Sequence, residues 1–209
     1  MPQVDALVRA AMSRWPQVPA AYGWLSLSRR GQWLLHPRGQ GWGVPGTEPG
    51  EPITNAQITS FIGRNYLADA HGRWFFQNGP QRVFVGLDGA PWVLHTRPGL
   101  DGRPQLATHN GLAYASPTHW WISPDGLLYV QSPQGAGLIR DRDLAQVIEH
   151  LRLADGQPLA DYLDAQPARR STVTVRFGPD PAVPLAWLDG TTPDRALGFV
   201  RHPRPDAPA

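Results

Sequence analysis

Residues 72–96 read GRWFFQNGPQRVFVGLDGAPWVLHT, and this stretch decides the fold. Short runs rich in aromatic and β-branched residues are broken by Asn78-Gly79 and Asp88-Gly89. Such dipeptides supply the positive φ angles that tight hairpins need, and the flanking runs have strand composition. The pattern continues downstream. Pro104–Thr108 and Leu112–Ala115 flank Asn110-Gly111, while His119–Ser123 and Leu127–Gln131 flank Pro124-Asp125-Gly126. Serial hairpins predict an antiparallel β-meander.

Working outward, Val4, Leu7, Val8, Ala11, Met12 and Trp15 recur at helical spacing before Pro16, which predicts an N-terminal helix over 1–16. Tyr22–Ser28 and Gln32–His36, joined through Arg29-Arg30-Gly31, predict a first hairpin. A Gly- and Pro-rich loop follows over 37–52, and then a helix carrying Ile58, Phe61 and Ile62, capped by Thr54 or Asn55. This hairpin and helix make a unit over 17–70. The meander and a helix over Ile139–Leu153, capped by Asp141, make a second over 71–153. Strands at Ser171–Phe177 and Pro184–Leu188 place 154–201 on the body, and 202–209 reads as a disordered tail. Ile53–Ile62 and Ile139–Ile148 share the pattern I-x-[ND]-x-x-[IL]-x-x-[FV]-I, each after an aromatic strand pair. The expected fold class is α+β: antiparallel meander sheets with two repeated strand-strand-helix units and an N-terminal helix.

Composition narrows the function classes. The 209 residues include no Cys, which removes thiolate metal sites, thiol nucleophiles and disulfides. All 19 basic residues are Arg, the net charge is +2, and no dense basic face is visible, so nucleic acid is not an expected partner. No window is apolar enough for a membrane span, and the first fifteen residues carry Asp5, Arg9 and Arg14. A cytoplasmic protein is the expectation.

Motifs for chemistry are missing. The seven His form neither H-x-x-x-H nor H-x-H, so no metal site and no cofactor are expected. Gly39-x-Gly41-x-Gly43 runs into Pro45 rather than a helix start, and so lacks the N–H cradle of a phosphate loop. G-x-S-x-G is absent, and no catalytic residue is assigned. Nine Trp stand out; Trp33, Trp74, Trp92, Trp120 and Trp121 lie in predicted strands. Alternation puts Trp120 and Trp121 on opposite sheet faces, one in the core and the other at a groove or interface.

An ordered series of short motifs carries a family resemblance. It runs from Gly72-Arg-Trp-Phe-Phe-Gln through Val83-Phe-Val-Gly-Leu-Asp88-Gly-Ala-Pro91-Trp92, Leu106-Ala-Thr-His-Asn110-Gly111, His119 and Asp125-Gly-Leu-Leu-Tyr129-Val130 to Gly137-Leu-Ile-Arg-Asp141. Over roughly residues 30–152 the chain resembles the bacterial domain of unknown function 1285 family, or an uncharacterised sister family. It departs at Trp120-Trp121 and in the long Gly/Pro loop. The resemblance implies an α+β fold of repeated motifs and a role in signal transduction, and it supplies no catalytic residue.

The expected function is therefore a non-enzymatic module that binds a small molecule or a protein. Asp88, Trp92, Asn110, His119, Trp120 and Trp121 are the candidate binding residues. A hydrolase using Asp88 with His119 or His109 is the alternative, and a structural homodimer is the third reading.

Overall fold

Glycine-closed hairpins build both sheets of the protein. The structure, a computed structural model, describes residues 4–39, 41, 49–99, 102–165 and 171–206. It divides into two units, Met1–Pro91 with Gly198–Ala209, and Trp92–Leu197. The boundaries expected at 70 and 153 do not coincide with these units.

The first unit runs α1 (Ala6–Arg14), β1 (Ala21–Leu27), β2 (Trp33–Leu35), β3 (Glu51–Pro52), α2 (Ala56–Arg64), β4 (Tyr66–Ala68), β5 (Trp74–Asn78) and β6 (Gln81–Leu87). Its sheet has the order β3-β2-β1-β6-β5-β4. The second unit runs β7 (Trp92–Pro98), β8 (Pro104–Thr108), β9 (His119–Ile122), β10 (Leu128–Ser132), β11 (Gly135–Ile139), a 3-10 turn (Asp141–Asp143), α3 (Leu144–His150), β12 (Leu151–Leu153), α4 (Leu159–Ala165), β13 (Val173–Phe177), β14 (Val183–Trp187) and α5 (Pro193–Leu197). Its order is β12-β13-β14-β9-β10-β11-β7-β8.

The α+β class holds, but the sheets are mixed rather than antiparallel. β1 pairs with β6, β14 with β9 and β11 with β7 in parallel. Hairpin chemistry builds each local ribbon, whereas the pairing of one ribbon with the next is a long-range choice that no turn encodes. Asp88-Gly89 is the clearest correction. It closes no hairpin: β6 belongs to the first sheet and β7 to the second. The Asp88 N–H bonds to the Leu27 carbonyl, and Gly89 stays outside the left-handed region.

Most of the other turns share one geometry. In Ser28–Gln32, Asp69–Arg73, Thr108–Leu112 and Ser123–Leu127 the fourth residue is a Gly with φ between 73° and 84°. Each Gly donates its N–H to the carbonyl three residues back. The side-chain oxygen of Ser28, Asp69, Thr108 or Ser123 accepts the N–H four residues on, at 3.0–3.1 Å. These are three-residue loops ending in a left-handed glycine, not the two-residue loops that the dipeptides suggest. Leu112–Ala115 contributes a single bridge, Ala107 to Ala113, instead of a strand.

The Asn55 cap stands: its Oδ1 accepts from the N–H groups of Gln57 and Ile58. The helix expected over Ile139–Leu153 shrinks to the seven residues of α3. Ile139 pairs with Leu94 and Leu151 with Phe177, so strand pairing overrides helical periodicity at both ends. Asp141 does not cap it, since α3 begins after Asp143. In α1 only Val8 is buried, and Leu7 is fully solvated.

The first core lies between one face of the sheet and α2. Trp33, Tyr66 and Trp74 form a chain of ring contacts at 5.0 and 4.8 Å, and Phe61 of α2 meets Phe76 edge-on at 5.4 Å. In the second unit Trp120, Phe177, Leu185 and Val147 are buried together with most of β10 and β11. The C-terminal segment completes the first unit: Leu87 donates its N–H to Arg201, Val200 to Gly72, and Arg73 pairs with Asp206 at 2.7 Å. So the chain is tied down through Val200 and Arg201 and held again at Asp206, while Arg204–Asp206 stay exposed; residues 207–209 lie outside the described residues.

Candidate functional site

An apolar groove of about 600 Å³ opens on the α2-covered face of the first sheet. Leu25, Val83 and Phe76 form its floor, and Ile58, Phe61 and Ile62 of α2 form one wall. Trp24 and Leu35 make the opposite rim, while Asn78 and Gln81 stand at one end. Cross-strand pairs explain the floor: Leu25 lies opposite both Leu35 and Val85, and Phe76 opposite Val83, so all project from one face.

Two local features open it. Helix α2 is anchored by its C-terminal half, with Ile62 only 2% exposed while Ile58 is 49% exposed. On the other side the β1–β6 register shifts between Ala21 and Leu25, and Gly23 sits there at φ +77°. The bulge breaks the alternation, so that Trp24 and its neighbour Leu25 both line the groove. Gly39 passes beneath Trp24; a Cβ there would lie 3.1 Å from the indole. Trp24 and Leu35 remain 45% and 41% exposed. Trp24, Leu35 and Ile58 thus form a cluster of large apolar residues left open to water.

Among the described lining residues none carries a charge. Gln81 donates its side-chain N–H to the Pro19 carbonyl at 3.1 Å, which leaves its amide oxygen as an acceptor. Asn78, its partner across the β5–β6 turn, is exposed. The groove can thus bury an apolar body and offer hydrogen bonds at one end. Sequence reading missed all of this. No motif marks these residues, and the one available signal is Trp24 beside Leu25 after a glycine.

The residues singled out from sequence are placed elsewhere. Asp88 is held in a turn of the first unit: its carboxylate pairs with Arg29 at 3.2 Å, and its carbonyl accepts from Arg201. Trp92 is buried, and its indole N–H donates to the Gln134 carbonyl at 2.8 Å. Asn110 shapes its turn, accepting from the Thr108 hydroxyl at 2.5 Å. Trp120 is fully buried, whereas Trp121 on the other face is half-buried and stacks on His119 at 5.1 Å. The expected division of the two Trp between opposite faces is met.

Asp88 belongs to the first unit and both His109 and His119 to the second. The His109 ring lies 5.7 Å from that of Trp92. The residue keeps some exposure, but its Nε2 is shut off from solvent, and the ring nitrogens are what titrate. Burial, with a smaller push from the charge of His95, lowers its pKa to about 3. Such a base accepts protons poorly at neutral pH.

A second pairing resembles catalytic geometry. Ser26 Oγ lies 2.8 Å from His36 Nε2. Both are buried, and Gly50 presses so closely that a Cβ would meet His36 Cε1 at 2.7 Å. The pair joins β1 to the residue that follows β2, and among the described residues both side chains are closed off from solvent. Among the described residues no cluster of three His, Asp or Glu gathers, and no helix is long and apolar enough to cross a membrane.

The fold is that of a two-unit, mixed-sheet α+β protein, and an apolar groove opens on its first sheet. The chain belongs to the DUF2944 family, described as "Protein of unknown function (DUF2946)", whose model matches residues 4–204. No curated protein matches it. Among solved structures it is similar to a DUF1285 family protein from Silicibacter pomeroyi DSS-3, at 16% identity over 75% of this chain and 93% of that one, with a TM-score of 0.46. The family that the chain belongs to is thus one of unknown function other than the one its motifs resemble.

Proposed function

We propose that this protein is a non-enzymatic binding module, and that its ligand occupies the groove beside α2. The observation that carries the reading is the clustering of Trp24, Leu35 and Ile58, all exposed, around a cavity of about 600 Å³. Ligand sites are commonly apolar clefts of about 300–1,000 Å³ with a few placed polar groups. A signalling role would follow if occupancy altered α2, which forms one wall.

The reading includes an internal duplication. Support comes from strand order: β4-β5-β6-β1-β2-β3 in one sheet and β12-β13-β14-β9-β10-β11 in the other, where β7 and β8 extend the edge beyond β11. In both, the two three-stranded ribbons meet through a parallel pair, β6 with β1 and β14 with β9. Aligning the turns Ser28-x-x-Gly31 and Ser123-x-x-Gly126 sets Leu25 opposite Trp120. On that alignment the larger Trp120 fills in the second unit what Leu25 leaves open in the first.

Titration with Nile red, an uncharged fluorophore, tests the binding reading. One saturable site is expected, weakened by Trp24→Ala and closed by Leu25→Trp in a variant with unchanged far-UV circular dichroism. Absence of saturable binding to the wild-type chain refutes the reading.

A further inference from the structure

We infer that the ligand is an uncharged amphiphile: an aliphatic or aromatic body seated between Trp24 and Ile58, with one amide- or alcohol-type head at Asn78 and Gln81. This rests on the binding reading above and adds the chemical class. The groove's described lining offers no Arg, His, Asp or Glu to pair with a charged head. An ion drawn into an apolar cleft without a partner loses hydration that nothing replaces, and its affinity falls accordingly. The arginines of this hairpin do not compensate. Arg73 and Arg82 project from the opposite face, over the rings of Phe84 and Phe75.

What the groove does supply is a pair of neutral amides. Asn78 and Gln81 are directly opposed where β5 turns into β6. Cross-strand partners project side by side, so the two side chains stand together at one end of the cleft. The Gln81 nitrogen is held by Pro19, which fixes the amide and leaves its oxygen to accept from an N–H or O–H. Asn78 brings both a donor and an acceptor. A primary or secondary amide satisfies both residues at once; a carboxylate, which only accepts, leaves the Gln81 oxygen unmatched. Head and body are then read separately, the head by Asn78 and Gln81 and the body by Trp24, Leu35, Ile58 and Phe61.

Displacement of bound Nile red by octanamide and by octanoate at pH 8, each below its micelle concentration, tests the class. Octanamide should displace the dye at a concentration roughly tenfold or more below octanoate, the difference expected for an unpaired ionised head. Asn78→Leu with Gln81→Leu should raise the octanamide concentration needed to displace the dye, measured against the dye's own affinity for that variant. Equal or better displacement by octanoate overturns the inference and leaves the binding reading standing, as does failure of both compounds to displace a saturably bound dye. Displacement instead by an amphipathic helical peptide alone would assign the groove to a protein partner and also overturn it. Failure of Nile red to bind removes the parent reading.

Discussion

The Asp143 carboxylate accepts hydrogen bonds from both the N–H and the hydroxyl of Thr96, at 3.1 and 2.9 Å, and its other oxygen pairs with Arg140 at 2.7 Å. It thereby ties the start of α3 to β7. Burial alone would raise the pKa of Asp143, but the Thr96 N–H, the Arg140 side chain and the Thr96 hydroxyl together hold it below the ordinary 3.8. A depressed acid stabilises the fold above its unfolded pKa, and that contribution is lost as pH falls through the folded value. Asp143→Asn should cost about 2 kcal/mol at pH 7, the scale of charge-assisted hydrogen bonds in a partly buried site. The gap between the urea midpoints of the two proteins should narrow as pH falls below 3.8; a gap unchanged from pH 7 down to pH 2 would contradict the account.

Trp120 is held by volume, not by its donor. Its indole N–H is buried without an acceptor among the described residues, and its ring packs on Phe177 at 5.9 Å. Trp120→Leu should cost about 3 kcal/mol in denaturant unfolding. Trp120→Phe should cost less than half of that, because it also removes an unsatisfied donor. If the units are equivalent, the Leu variant should also raise Nile red stoichiometry from one to two.

Gly23 occupies a position closed to any side chain. It lies at φ +77°, and a Cβ there would fall 2.3 Å from the Gly39 carbonyl oxygen. Its own carbonyl accepts the Gly41 N–H at 2.7 Å. Gly23→Ala should destabilise by about 2 kcal/mol or more and disturb the bulge that presents Trp24. Intrinsic Trp emission and Nile red affinity should change together; an unperturbed groove in this variant would show that the bulge does not shape it.

His109 gives the protein a one-proton acid sensitivity. With a folded pKa of about 3 against an ordinary 6.5, it stays neutral in the fold while the unfolded chain protonates. Stability is full above pH 6.5 and falls on acidification towards pH 3, by about 1.4 kcal/mol per pH unit for one proton. His109→Gln should flatten the pH dependence of the urea midpoint between pH 6 and 4.

Local chemistry was legible in the sequence and long-range pairing was not. Gly31, Gly111 and Gly126 announced their turns because left-handed backbone leaves a composition signal, whereas the turn closed by Gly72 went unread. The Asn55 cap and the opposite burial of Trp120 and Trp121 followed from equally local rules. The parallel β1–β6 and β14–β9 contacts joined ribbons more than fifty residues apart and left no mark on either strand. The groove escaped for a different reason. It exists because α2 and the Gly23 bulge fail to cover Leu35 and Ile58, and exposure of an ordinary aliphatic residue has no motif.

The first unit is sewn shut from afar: the Arg201 side chain donates to the Leu87 carbonyl 114 positions earlier in the chain. On the ribosome β1–β6 emerge early, yet their closing segment arrives only after all of Trp92–Leu197 has been made. By then every strand of both sheets has been made, and the first unit still waits for a segment later in the chain. Nascent chains paused before Gly198 should therefore present an unfinished amino-terminal half, the state most exposed to chaperones and proteases during biosynthesis.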